Sequence, residues 1–183
     1  MSESDNQNQE TKKVSKQQKA LATKNPFSAE SIAAEAKGII LMARETEFLV
    51  TGVANLDGTH EKEQNDVPRT VFEALAEQII AACPKTSFML IAVGPADKEP
   101  KCCSVFVHSA SPRLSAADWL IACNMSDAEF GDSTRAFGYS NSEYPIKQKD
   151  IVSGAAFAFL RKMKLLDEHD SDDERPDFDI NAD

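Results

Sequence analysis

Charge and apolar side chains are partitioned by segment along this chain, and that partition sets how much of it can fold. From Asp167 to Asp183 there are nine acidic residues against one arginine, a net of −8. Residues 1–26 carry five lysines against three acids, a net of +2. The whole chain stands at −10, so residues 27–166 are left near −4 and hold most of the large apolar side chains. A segment that cannot bury apolar surface cannot offset the entropy lost on ordering. The expected organisation is therefore a disordered basic arm over 1–26, one domain over 27–166 and a disordered acidic tail over 167–183. A domain of 140 residues buries roughly two-thirds of its unfolded surface, whereas two half-sized domains would need staples.

The longest apolar runs, Phe88–Val93 and Ala155–Leu160, fall far short of the ~20 residues that cross a bilayer, so no membrane partner is expected. Glu3, Asp5 and Glu10 give the first residues none of the character of an export signal. On that reading the four cysteines are reduced thiols, as expected for a cytoplasmic or, in a eukaryote, nuclear protein. The acidic balance argues against coating phosphate backbones.

Spacing predicts the elements. Ser28 suits an N-cap, and Ile32, Ala36, Ile39, Ile40 and Ala43 recur at helical intervals up to about Arg44. Glu47–Ala54 reads as a strand followed by an Asn55-Leu56-Asp57-Gly58 turn. Pro68 opens a second helix whose stripe is Val71, Leu75, Ile79 and Ala82, and Pro84 ends it. Ser87–Val93 and Cys102–His108 read as an antiparallel hairpin covered on both faces, because neither strand alternates with polar residues. Ser115 with Asp118 opens a helix carrying Trp119, Ile121, Ala122 and Met125. Gly131, Gly138 and Pro145 interrupt residues 126–147, which are expected to be a loop or irregular helix. A last helix over 150–166 would bury Ile151, Ala155, Ala158, Phe159 and Leu166, with Arg161, Lys162 and Lys164 complementing its C-terminal dipole. The order α-β-α-β-β-α-α predicts an α+β domain: a small, mostly antiparallel sheet packed against about four helices, between flexible tails.

Candidate chemistry is thin. Cys102 and Cys103 would point to opposite faces of a strand and cannot share a metal, and no C-x-x-C is present. Cys102 and His108 share a face but lie roughly 20 Å apart at 3.3 Å per residue. Cys83 falls at a helix C-terminus, which disfavours a thiolate, and Cys123 reads as core. His108 with Ser109, Ser111 and Asp118 lacks a nucleophile elbow, so it reads as an edge histidine beside a polar turn. Nothing matches a phosphate loop. The run Asp170–Glu174 lacks the glycine and closing glutamate of a calcium loop. No catalytic residue, cofactor or metal is expected.

The tail holds more information. Ser171 precedes Asp172, Asp173 and Glu174, the context favoured by acid-directed kinases. Further on, Asp177-Phe178-Asp179-Ile180 sets two apolar side chains among carboxylates, a composition suited to an apolar pocket with a basic rim. In composition this tip resembles the acidic, phenylalanine-bearing tails of some single-stranded-DNA-binding proteins, which implies partner recruitment. Lys98 and Lys101 flank the hairpin loop. The arm offers Lys12, Lys13, Lys16 and Lys19, but no aromatic residues interleave with them as a base-stacking platform.

The expected function is thus a non-catalytic protein-interaction or assembly module whose contacts are Phe178, Ile180, Asp177, Asp179, Lys98 and Lys101. Its partners would be proteins, including a second copy of the chain. One alternative is a nucleic-acid-associated protein whose acidic tail recruits partners. Another is an enzyme with a cysteine/histidine site assembled from Cys102, His108 and Asp118.

Overall fold

The computed structural model describes residues 25–59, 64–94, 101–123, 125 and 127–166. Nearly all of the expected arm and the whole acidic tail lie outside these residues. Helix α1 spans Ala29–Ala43, and the Ser28 hydroxyl accepts the Ser31 N–H at its start. Strand β1 (Phe48–Gly52) follows. The expected turn after it is a one-turn helix, α2 (Ala54–Asp57), ended by Gly58 at φ 70°, a backbone conformation that glycine adopts without strain. Helix α3 (Arg69–Ala82) begins after Pro68. Strands β2 (Ser87–Val93) and β3 (Cys102–His108) occupy the expected ranges and pair antiparallel from Phe88↔His108 to Val93↔Cys103.

Helix α4 (Ala116–Ala122) is capped by Ser115, whose hydroxyl accepts the Asp118 N–H. Residues 126–147 are not a loop. They contain a hairpin of β4 (Asp127–Gly131) and β5 (Arg135–Asn141). Its turn is built by Asp132, whose Oδ1 accepts the backbone N–H groups of Thr134 at 2.7 Å and Arg135 at 2.8 Å. These bonds hold the exposed Asp132 carboxyl below the usual carboxylate range. The turn also starts α4, because the Ser133 and Asp132 carbonyls accept the N–H groups of Ala116 and Ala117. Helix α5 (Pro145–Lys162) then begins earlier than expected, with proline in its first turn, and stops at Lys162.

The sheet has five strands in the order β1-β2-β3-β5-β4, with β1 parallel to β2 and every other pair antiparallel. The chain is α+β, with helices on both faces of that sheet. All seven residues of β2 are buried. Phe88, Leu90 and Ala92 point into one core with α1 and α3, while Met89 and Ile91 point into the other with α4 and α5. On the first face the Phe72 ring stacks on Phe106 at 6.2 Å and meets Phe137 at 5.8 Å. On the second, Trp119 Nε1 donates to the Ala156 carbonyl at 3.1 Å and fastens α4 to α5.

Three inner faces differ from the expected stripes. In α3 the buried set includes Phe72 and Ala76, and Ala82 is exposed. In α4, Trp119 and Leu120 are buried while Ile121 is 66% exposed. In α5, Val152, Ala156 and Leu160 face inward, and Ile151 is 49% exposed. Ala158 is exposed as well, and Leu166 lies past the helix. Neighbouring residues on a helix are turned by about 100°, so a one-residue error in phase moves the inner stripe more than a quarter turn around the helix.

The crossover from β1 to β2 is held by one carboxylate. Asp57 is fully buried. Its Oδ2 accepts the Val93 N–H at 2.9 Å, and its Oδ1 accepts the Thr59 N–H at 2.8 Å and the Thr59 hydroxyl. Asp57→Ala leaves the buried Val93 N–H without an acceptor and frees the half-buried Thr59 donors, and is expected to cost about 1–3 kcal/mol. Urea unfolding of the full chain measures this as a lower midpoint at unchanged slope.

Candidate functional site

The sequence singled out thiols, a histidine and surface lysines, and the fold separates them. Cys103 lies in the core beneath α4 and α5, whereas Cys102 points to the opposite face, with its Sγ 2.9 Å from where a Cβ on Gly94 would stand. Burial pushes both thiols up, Cys103 to about 12. Cys123 is likewise pushed up to about 12, and its Sγ–H donates to the Trp119 carbonyl. Cys83 caps the end of α3, buried against the Ile40 carbonyl. Thiols raised as far as those of Cys103 and Cys123 are not nucleophiles at neutral pH.

His108 closes β3, an interior strand of the sheet rather than an edge, and packs on the Phe88 ring at 5.1 Å. Its Nδ1 is buried without a hydrogen-bond partner among the described residues. Burial, then the Arg135 cation opposite it in β5, lowers its pKa, and a hydrogen bond to the Thr134 backbone pulls the other way. The Ser109 hydroxyl donates to the Leu114 carbonyl at 2.6 Å, and Asp118 sits in the first turn of α4. No Ser-His-Asp arrangement forms among these residues. Lys101 stands just before β3, where its carbonyl accepts the Ser142 N–H. Lys98, Asp177, Phe178, Asp179 and Ile180 lie outside the described residues.

A polar cluster does gather where β1 and β2 end. Asn55 donates to Glu35, a buried residue of α1 whose carboxyl is raised by burial and by nearby Asp57. On the other face Lys149 of α5 covers Gly52, where a Cβ would stand 2.5 Å from its Nζ. Among the described residues no group of three or more His, Cys, Asp or Glu side chains could hold a metal ion. The Asn55–Glu35 bond ties α2 to α1, and Asp57 ties α2 to the end of β2.

A groove with exposed apolar side chains and a basic lining lies elsewhere, between α1 and α3. Its volume of about 350 Å³ is lined by Lys37, Ile40, Leu41 and Arg44 from α1 and by Gln78 and Ala82 from α3, over small alanines. Lys37 and Arg44 are two helical turns apart, about 10 Å, on one face of α1. Leu41 is 60% exposed between them, and Ile40, expected in the core, is only partly buried. The lining holds two cations and no carboxylate, in a chain whose net charge is −10. The sequence carries a signal for this face that periodicity overlooks. Beyond Glu30 in the first turn, the outward positions of α1, Ala33, Ala34, Lys37, Gly38, Leu41 and Met42, bring no acid.

No protein-family model matches the chain, and none of the curated proteins matches it either. Among the described residues no helix is long and apolar enough to cross a membrane.

Two predictions follow from the buried titratable groups. Because His108 has a folded pKa below its ordinary 6.5, the unfolded chain takes up the proton first as pH falls. Stability is complete above ~6.5 and is lost as pH drops from there toward the depressed value. Glu35, raised above 4.5, acts oppositely in a more acidic window, where the folded state binds the extra proton. Urea midpoints between about pH 5 and 7.5 should therefore fall on acidification, and His108→Gln should flatten the curve. Secondly, Cys103 and Cys123 should react with a thiol reagent at neutral pH only when urea opens the chain, as mass spectrometry of labelled peptides would read.

Proposed function

We propose that this chain is a non-catalytic protein-interaction module that holds an acidic, apolar peptide segment in the groove between α1 and α3. The observation that carries the reading is the lining of that groove, where exposed Leu41 and half-buried Ile40 lie between Lys37 and Arg44 with no carboxylate among them. Its volume is at the small end of ligand pockets, roughly 300–1,000 Å³, and suits one or two side chains of a peptide. A docked apolar side chain contributes roughly 1.5–3 kcal/mol, and each exposed carboxylate–cation pair up to about 1 kcal/mol at low salt. After ordering costs, that sum corresponds to a weak, reversible contact on the order of 0.1–1 mM. The partner's carboxylates select the groove over the rest of an acidic surface, and its apolar side chains hold it there.

The test is fluorescence anisotropy with a labelled dodecapeptide alternating aspartate with phenylalanine and isoleucine. The full chain would carry Phe178→Ser and Ile180→Ser, so that its own segment of similar chemistry does not compete. Binding should weaken at least about tenfold with Lys37→Glu and Arg44→Glu together, and steadily with added salt. Equal binding of a peptide with serine in place of its apolar residues, or indifference to Leu41→Glu, would overturn the reading.

A further inference from the structure

We infer that the occupant of the α1/α3 groove in the resting protein is the chain's own segment Asp177-Phe178-Asp179-Ile180, docked in cis, so that the tail competes with outside peptides for the site. The inference rests on the proposed peptide-binding role of that groove. Three observations lead from the groove to this occupant.

The first is chemical match. The segment sets Phe178 and Ile180 between Asp177 and Asp179, and the groove sets Ile40 and Leu41 between Lys37 and Arg44. The exposed apolar pair on α5, Ile146 and Ile151, shares its face with the exposed acids Glu143 and Asp150 as well as with Lys147. Carboxylates in that patch make it a poorer match for an acidic peptide than the groove, whose lining has two cations and no carboxylate.

The second is reach. The end of α5 and the end of α1 meet the same end of the sheet from opposite faces. Arg113, just beyond β3, donates to the Lys164 carbonyl at 3.3 Å, while Thr86, just before β2, donates to the Ala43 carbonyl at 2.9 Å. The start of β2 and the end of β3 are paired, Phe88 with His108. The path from Leu166 to the groove therefore crosses the thickness of the sandwich, roughly 20 Å at about 10 Å per packed layer. Residues 167–176 span up to roughly 33 Å when extended.

The third is tethering. A short linker raises the effective concentration of a segment to the millimolar range. A contact too weak to persist between free molecules is then occupied for much of the time within one chain. The tail's net of −8 adds attraction to the two groove cations, and salt should screen it over a Debye length of about 10 Å at 0.1 M.

A photo-crosslinking amino acid placed at Phe178 in the full chain tests this, using an equal mixture of ¹⁵N-labelled and unlabelled protein. The inference expects crosslinks from residue 178 to peptides containing residues 33–44 or 78–82, almost all within one isotopic label. Their yield should fall at least about fivefold with Lys37→Glu and Arg44→Glu or at high salt. In the anisotropy assay the native tail should weaken peptide binding about two- to fivefold relative to the Phe178→Ser, Ile180→Ser chain. Crosslinks spread over the surface, or centred on α5, would overturn the inference. Crosslinks between labels would overturn the cis arrangement and make a second copy the occupant. If the peptide binds the serine-substituted chain but residue 178 does not crosslink to the groove, the tail inference fails alone. If the peptide does not bind that chain, the groove reading fails with it.

Discussion

Strand β2 is buried along its whole length on both faces, and the rest of the architecture answers to that burial. A strand with Phe88, Leu90 and Ala92 on one side and Met89 and Ile91 on the other exposes apolar surface whichever way the sheet faces. Only a helical layer on each side removes that surface from water. α1 and α3 supply one layer, and α4 and α5 the other. Burying a strand so deeply also strands polar groups at its ends. Asp57 accepts the last N–H of β2, and Thr86 reaches the Ala43 and Thr46 carbonyls at its start. These contacts are the counterpart of the apolar core, because a buried donor left without an acceptor costs more than a typical hydrogen bond contributes.

Much of this was legible in the residues. The caps at Ser28 and Ser115, the limits of β2 and β3, and the covering of both faces followed from side-chain chemistry and from the missing alternation. The β4–β5 hairpin did not. Gly131 and Gly138 read as breaks, whereas a glycine in a strand can mark close approach, and a Cβ at Gly131 would stand 3.2 Å from the Ala117 Cβ of α4. Asp132-Ser133-Thr134 was the signal available, an aspartate placed to close a turn on its own backbone. The phase of α5 was lost for another reason. Ile151, Val152, Ala155, Ala156, Phe159 and Leu160 place apolar residues in adjacent pairs, so two faces one residue apart fit the helical period almost equally well. The core beneath chooses between them, and no local pattern records it.

The candidate site was legible only in half. Asp177-Phe178-Asp179-Ile180 stood out by its mix of carboxylates and apolar side chains, and the α1/α3 groove did not, because only the inner stripe of α1 follows from its periodicity. A helix whose outward face beyond its first turn carries Ala33, Ala34, Leu41 and Met42, with Lys37 and its C-cap Arg44 as the charges lining the groove, is unusual on the surface of a monomer. Cys83, Cys103 and Cys123 are buried, and His108 packs on the Phe88 ring.

The claim that the outward face of α1 is a binding surface can be read directly by amide hydrogen exchange with mass spectrometry, on the Phe178→Ser, Ile180→Ser chain with and without saturating acidic apolar peptide. The account predicts slower exchange confined to α1 and the C-terminal half of α3, with α4 and α5 unchanged. Unchanged exchange in α1 at saturation, or protection centred on α5, would contradict it.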